Sequence, residues 1–210
     1  AMHTLIVVSH PNPQSLTHAV AAEIAHSLPA PHTADIADLA AEGFDPRITA
    51  ADIAVNIKAG QPPADVLAEQ QRLARTDALV LVYPVYWWSF PALLKGWIER
   101  VFTQGWAYEE HADGTLVKKL GHLPVHLVAL GGATLRTYAR HGYFGAMRTQ
   151  IEHGIFDYCG APVASSTLLL ASDDGYPDSA LASARDIGRR IPEMLPSALS
   201  LPAPLLQRQQ

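Results

Sequence analysis

Residues 78–102 read ALVLVYPVYWWSFPALLKGWIERVF and predict a buried strand, a loop and an amphipathic helix in that order. Ala78 to Tyr83 is an unbroken apolar run rich in Val and Leu, the pattern of a strand covered on both faces in a parallel sheet. In the last part, Leu93, Leu94, Trp97, Ile98, Val101 and Phe102 recur at three and four residues, which makes one wide apolar stripe on a helix. Pro91 suits the first turn of that helix, where a missing N–H does no harm. Between strand and helix, Pro84 ends the ladder, and Tyr86, Trp87 and Trp88 fall in a loop at the carboxyl end of the strand. Open α/β sheets bind their ligands at that edge, so a planar aromatic ligand is expected there. Any one of the three aromatics could simply pack the strand-to-helix corner. Three adjacent side chains cannot all face one core, so at least one covers a pocket or a partner chain.

Upstream, Leu5 to Val8 predicts a first buried strand that ends in Ser9-His10-Pro11-Asn12-Pro13-Gln14-Ser15, a loop by its two prolines. Ser15 or Gln14 is placed to cap a helix in which Leu16, Val20, Ile24 and Leu28 repeat every four residues. A strand, a tight polar loop and a helix N-terminus make an anion site, with free N–H groups and the helix dipole aimed into the loop and hydroxyls from Ser15 and Thr17 beside them. The loop is neither G-x-x-x-x-G-K-[ST] nor G-x-G-x-x-G. A phosphate held by hydroxyls and backbone, without lysine or Mg²⁺, fits such a loop. His10 is either a donor to such a phosphate or a surface loop histidine. Downstream, Val125 to Leu130 predicts another strand, ending in Gly131-Gly132-Ala133-Thr134. Paired glycines there serve either a tight turn or the close approach of backbone to a flat ligand.

The rest of the chain fits around these three segments. Thr33 to Asp38 reads as an edge strand and Thr167 to Ala171 as a fifth one. Asp65 to Arg75 predicts a polar helix with Val66, Leu73 and Ala74 inward, whereas residues 47–63 carry no clear period. Asp113-Gly114 predicts a tight turn and hence a hairpin or excursion within 103–123. A last amphipathic helix carries Leu181, Ala184, Ile187, Gly188 and Ile191 inward until Pro192 interrupts it. One domain over 1–195 and a Pro-rich tail over 196–210 are expected. Five strands alternating with helices predict a three-layer α/β sandwich.

Composition excludes several classes. The 210 residues carry a formal charge of −5 without a basic run, so nucleic acid is not an expected partner. Cys159 is the only cysteine, which leaves no internal disulfide and no thiolate metal cluster. The ten histidines are scattered without H-E-x-x-H or a paired His/carboxylate spacing, so no metal is expected. No apolar run approaches the ~20 residues of a membrane helix. No membrane insertion and a cytoplasmic location are therefore the expectations. The G-x-S-x-G elbow of serine hydrolases is missing.

The run YPVYWWSFPALLKGWIERVF, the run HPNPQSLTHA after the first strand and the later Gly-Gly together resemble the flavodoxin-like NAD(P)H:quinone oxidoreductases, from about His3 to about Ala171. The resemblance implies a five-stranded parallel sheet in the order 2-1-3-4-5 with helices on both faces. It implies a bound flavin, FAD ahead of FMN, with NAD(P)H as co-substrate and a quinone or similar aromatic acceptor. NAD(P)H would give a hydride to flavin N5 and leave, and the acceptor would take it from the same face, in ping-pong order. His10, Ser15, Leu16 and Thr17 would hold the phosphate end, and Pro84, Val85, Tyr86, Trp87, Trp88, Gly131 and Gly132 the ring system. Trp87, Trp88 and Trp106 would wall the substrate slot. Family members place a Tyr and a His in the loop after the glycines, near flavin and substrate, which makes Tyr138, His141 and Tyr143 the catalytic candidates and 138–143 an expected loop. Counted from Gly132, Tyr138 stands one residue late and Tyr143 stands where a His is expected. A homodimer with active sites at its interface is also implied. Two other roles belong to relatives: an ancillary subunit of a potassium-efflux transporter, and a flavodoxin-type electron carrier.

Overall fold

A computed structural model of the chain describes residues 1–194; the tail expected over 196–210 lies outside the described residues. Five parallel strands form the central sheet: β1 (His3–Val8), β2 (Thr33–Asp38), β3 (Ala78–Pro84), β6 (Val125–Gly131) and β7 (Val163–Leu170). Their order is β2-β1-β3-β6-β7, which is the expected 2-1-3-4-5 once the small hairpin of β4 (Tyr108–Glu110) and β5 (Leu116–Lys118) is set aside. Ile6 pairs with both Ile36 and Val80, and Gly131 with Leu170. Among the described residues no helix is long and apolar enough to cross a membrane.

The apolar run of β3 is unbroken because both of its faces are covered. Leu79, Leu81 and Tyr83 enter one core with Leu94, Trp97 and Val101 of α4 (Ala92–Val101). Ala78, Val80 and Val82 enter the other with Val20 and Ile24 of α1 (Leu16–Ser27) and Ala180 and Ala184 of α7 (Asp178–Arg190). Burying each Val or Leu contributes roughly 1.5–3 kcal/mol. The seam between α1 and α7 is backbone-close: a Cβ on Gly188 would lie 2.4 Å from the Ile24 carbonyl oxygen.

Residues 47–63 are better ordered than their lack of period suggested. Thr49 caps α2 (Ala50–Asn56) reciprocally with Asp52, its hydroxyl accepting from the Asp52 amide and its own amide donating to Asp52 Oδ2. Asp52 also accepts from Arg100 Nε at 3.0 Å, and Arg100 binds Asp65 and the Asp45 carbonyl. This ion network ties α2 and α3 (Ala64–Ala74) to α4. On α3 it is Glu69 and Gln70 that are buried beside Val66 and Leu73, while Ala74 is exposed. Gln70 turns inward because its Nε2 donates to the Val101 carbonyl and Thr103 Oγ1 at the end of α4.

Two further segments differ from expectation. β7 starts at Val163, ahead of Thr167: Val163, Ser165 and Ser166 pair with Val125, His126 and Leu127, and Ala164 is the extra residue of the register irregularity between them. The segment holding Tyr138 to Tyr143 is helical. Thr134 caps α5 (Leu135–His141), Gly142 ends it at φ 71°, and α6 (Tyr143–Met147) runs on into a π-helix, Arg148–Asp157.

Candidate active site

The exits of β1, β3 and β6 lie side by side because those strands are neighbours in the sheet. Backbone bonds stitch the exits together: Ser9 N–H to the Val82 carbonyl and Val85 N–H to the Leu130 carbonyl.

At the exit of β1 the loop is locked by its own polar groups. Asn12 N–H donates to His10 Nδ1, Gln14 N–H to Asn12 Oδ1 and Ser15 N–H to the Asn12 carbonyl. Ser15 is the cap, its Oγ accepting from His18 N–H at 3.1 Å. That hydroxyl also pairs with His18 Nδ1 at 2.7 Å, and His18 Nε2 meets Asp38 Oδ2 at 2.8 Å. The amides of Leu16 and Thr17 have no partner among the described residues, so two donors and the dipole point out of the helix end. Because His10 Nδ1 accepts, a neutral His10 carries its proton on Nε2, where it can be donated. Burial, and then the nearby His18, lower the pKa of His10 and keep that neutral form. Leu16 packs its side chain on the α1–α7 core, and the Thr17 side chain is buried.

At the exit of β3, Tyr86 and Ser89 bond to each other through both amide–carbonyl pairs, at 3.2 and 3.1 Å, closing a two-residue turn. Its central residues, Trp87 and Trp88, have φ of 48° and 60°, the positive pair of a type I′ turn. Such turns normally carry Asn or Gly, and αL geometry costs a bulky residue about 1–3 kcal/mol. The amides of Trp87 and Trp88 have no partner among the described residues. The Trp87 side chain is 92% exposed. Trp88 instead stacks on Tyr143, centroids 3.6 Å apart at 12°, and meets Tyr138 edge-on at 5.4 Å.

At the exit of β6, a Cβ on Gly131 would lie 2.7 Å from Tyr138 Oη, whereas one on Gly132 would meet nothing within 4 Å. Gly131 therefore makes room for a phenol, and Gly132 borders open space. Val85, Trp87, Trp88, Gly132, Ala133 and Tyr138 enclose a slot of about 140 Å³. Burial raises the Tyr138 pKa, so its hydroxyl keeps its proton at neutral pH. His141 is exposed and lies near-parallel to Tyr143, centroids 5.3 Å apart. Tyr86 is exposed and Pro84 is half-buried at the strand end. Trp106 is not brought to the slot within one chain; it packs edge-on against Phe102, 5.9 Å away. Two larger cavities, about 310 and 390 Å³, flank β7.

The arrangement can hold an elongated ligand with an anionic group at one end and a flat polar-edged ring at the other. The donor set fits a flavin: two free amides and an Nε2–H at the helix end, and free backbone amides beside a slot walled by aromatics. Sequence reasoning did not single out His18, Asp38 or Gln150. Gln150, on the π-helix, bonds to both the Trp88 carbonyl and the Ser89 hydroxyl. The contact spans about sixty residues and leaves no local signal.

Comparison with known proteins agrees with the fold. The Flavodoxin-like fold family, Flavodoxin_2, matches residues 2–190. A ribosyldihydronicotinamide dehydrogenase [quinone] of Pongo abelii is 29% identical over 192 residues, covering 80% of this chain and 81% of the relative. The structure of an NAD(P)H:quinone oxidoreductase from Methanothermobacter marburgensis superposes with a TM-score of 0.79 at 27% identity, over 90% of this chain and 98% of the other. General stress protein 14 of Treponema denticola, solved in complex with FMN, gives a TM-score of 0.63 at 26% identity, over 88% and 95% of the two chains.

Proposed function

The chain belongs to the Flavodoxin-like fold family, and from that premise we propose that it is a flavin-dependent NAD(P)H:quinone oxidoreductase. The observation that carries this reading is the convergence at one sheet edge of a capped helix N-terminus and an aromatic slot bordered by unpaired backbone amides. A flavin held there would supply two-electron redox chemistry between NAD(P)H and a quinone or similar acceptor.

The chain's own residues bind, orient and hold protons. The amides of Leu16 and Thr17 with His10 Nε2–H receive the phosphate end, and Ser15 fixes that helix end. The amides of Trp87, Trp88 and Gly132 receive the polar edge of the ring system, with Pro84, Val85, Tyr86 and Gly131 as its backbone frame. Tyr138 keeps its phenolic proton and serves as the donor that stabilises negative charge developing beside the slot. Tyr143 stacks on Trp88 and His141 on Tyr143, and together they complete the wall at which nicotinamide and quinone bind in turn. The exposed Trp87 is the surface for a flat substrate or for a second subunit, and a homodimer would bury it. Trp106 then serves the slot only across that interface.

Resemblance to the quinone reductases favours FAD, and the FMN-bound relative keeps FMN as its rival. Chromatography of the flavin released by heating the purified protein decides between them. A protein that stays colourless and binds neither FAD nor FMN on titration would end the proposal.

A further inference from the structure

A turn made of two left-handed tryptophans does not hold itself. Tyr86 and Ser89 close it, yet the αL geometry at Trp87 and Trp88 works against it. The restraint comes from elsewhere in the chain. From the first turn of the π-helix, the Gln150 carboxamide reaches back: its Nε2 donates to the Trp88 carbonyl at 3.1 Å and its Oε1 accepts from Ser89 Oγ at 2.9 Å. The peptide leaving the turn is thereby held at both ends, its C=O by Gln150 and its N–H by the Tyr86 carbonyl. The π-helix also buries Ile151 and Phe156, five residues apart, as its i→i+5 period allows, while Gln150 faces the turn.

We propose that Gln150, with Ser89, is a positioning residue that holds the Trp87–Trp88 turn in its strained form so that the two free amides remain presented to the slot. This rests on the reading of the slot as a flavin site. Gln150 acts through the turn and need not touch the ligand. Released from the clamp, the turn relaxes toward negative φ, and binding must then restore the strained form, so apparent affinity falls by the fraction of molecules still competent. Two hydrogen bonds of ordinary net strength correspond to a change of about tenfold.

The test compares wild type, Gln150→Ala, Gln150→Glu and Ser89→Ala, each titrated as apoprotein with FAD and with FMN. The glutamate keeps an acceptor for Ser89 but loses the donor to the Trp88 carbonyl. Gln150→Ala is expected to raise the flavin Kd by about tenfold and Gln150→Glu, which keeps the Ser89 bond, by about threefold, and both to shift the two-electron midpoint potential of the bound flavin. Thermal midpoints should change little, because relaxation of the αL strain at Trp87 and Trp88 offsets the lost bonds. Adding Ser89→Ala to Gln150→Ala should change little further, since the two act as one unit. Should Gln150→Ala lose stability, the length-preserving Gln150→Glu carries the test. Wild-type Kd and potential in both variants, with flavin-binding wild type alongside, would overturn the inference and leave the proposed function standing. A wild type that binds no flavin would overturn the function and the inference with it.

Discussion

The loop after β1 and the turn after β3 sit side by side at the same sheet edge and are stabilised in opposite ways. The first obeys every local rule: a Ser cap, an Asx-type bond from Asn12 and a dipole pointing where an anion belongs. The second breaks one, placing two tryptophans where Gly or Asn is expected, and borrows its restraint from Gln150 and Tyr143. A site whose geometry is a by-product of helix formation holds its shape in isolation. A strained one is only as good as its distant supports, and that makes it the place where binding can be tuned.

The largest expected effect belongs to neither region and has to be removed before they are compared. His126, at the base of the sheet, is 1% exposed, and burial pushes its pKa down to about 4. A lowered histidine pKa favours the neutral folded form above pH 6.5, and that stability is lost as pH falls from 6.5 toward 4. The loss amounts to about 3 kcal/mol. Urea midpoints measured across that range should fall in wild type and flatten in His126→Gln. With pH held above 7, Trp88→Ala should cost about 2 kcal/mol, less than a fully buried Trp, because the half-buried ring leaves Tyr143 and Tyr138. Ser15→Ala should cost about 1 kcal/mol as a lost cap, and it should weaken flavin binding in parallel.

Trp87→Gly should separate the two regions by sign. The side chain is 92% exposed at φ 48°, so little packing is lost and strain is relieved. The apoprotein should gain up to about 1 kcal/mol in a urea titration while flavin or substrate binding weakens. A loss of stability equal to the loss of binding would make Trp87 an ordinary packing residue and remove the contrast.

The same contrast explains what the sequence made legible. Strands β1, β3 and β6 announce themselves because both faces are buried, and the Ser15 cap because capping is local. The capping box Thr49-x-x-Asp52 is equally local, but 47–63 lacks the apolar period that marks a helix behind it. Arg140-His141-Gly142 likewise carries a helix-stop signal within the expected loop. The left-handed turn was not readable, since Trp-Trp has no preference for positive φ and the reason for it, Gln150, lies some sixty residues away. Nor was the inward turn of Gln70 readable, whose partners are on α4 and just beyond it.

Reduction of the purified protein by NADPH in the absence of oxygen, followed by addition of a quinone, tests whether it works as a two-electron quinone reductase. A yellow protein should bleach in one two-electron step and recolour when the quinone is added. A flavin that halts at a stable blue semiquinone and passes nothing to the quinone would contradict it.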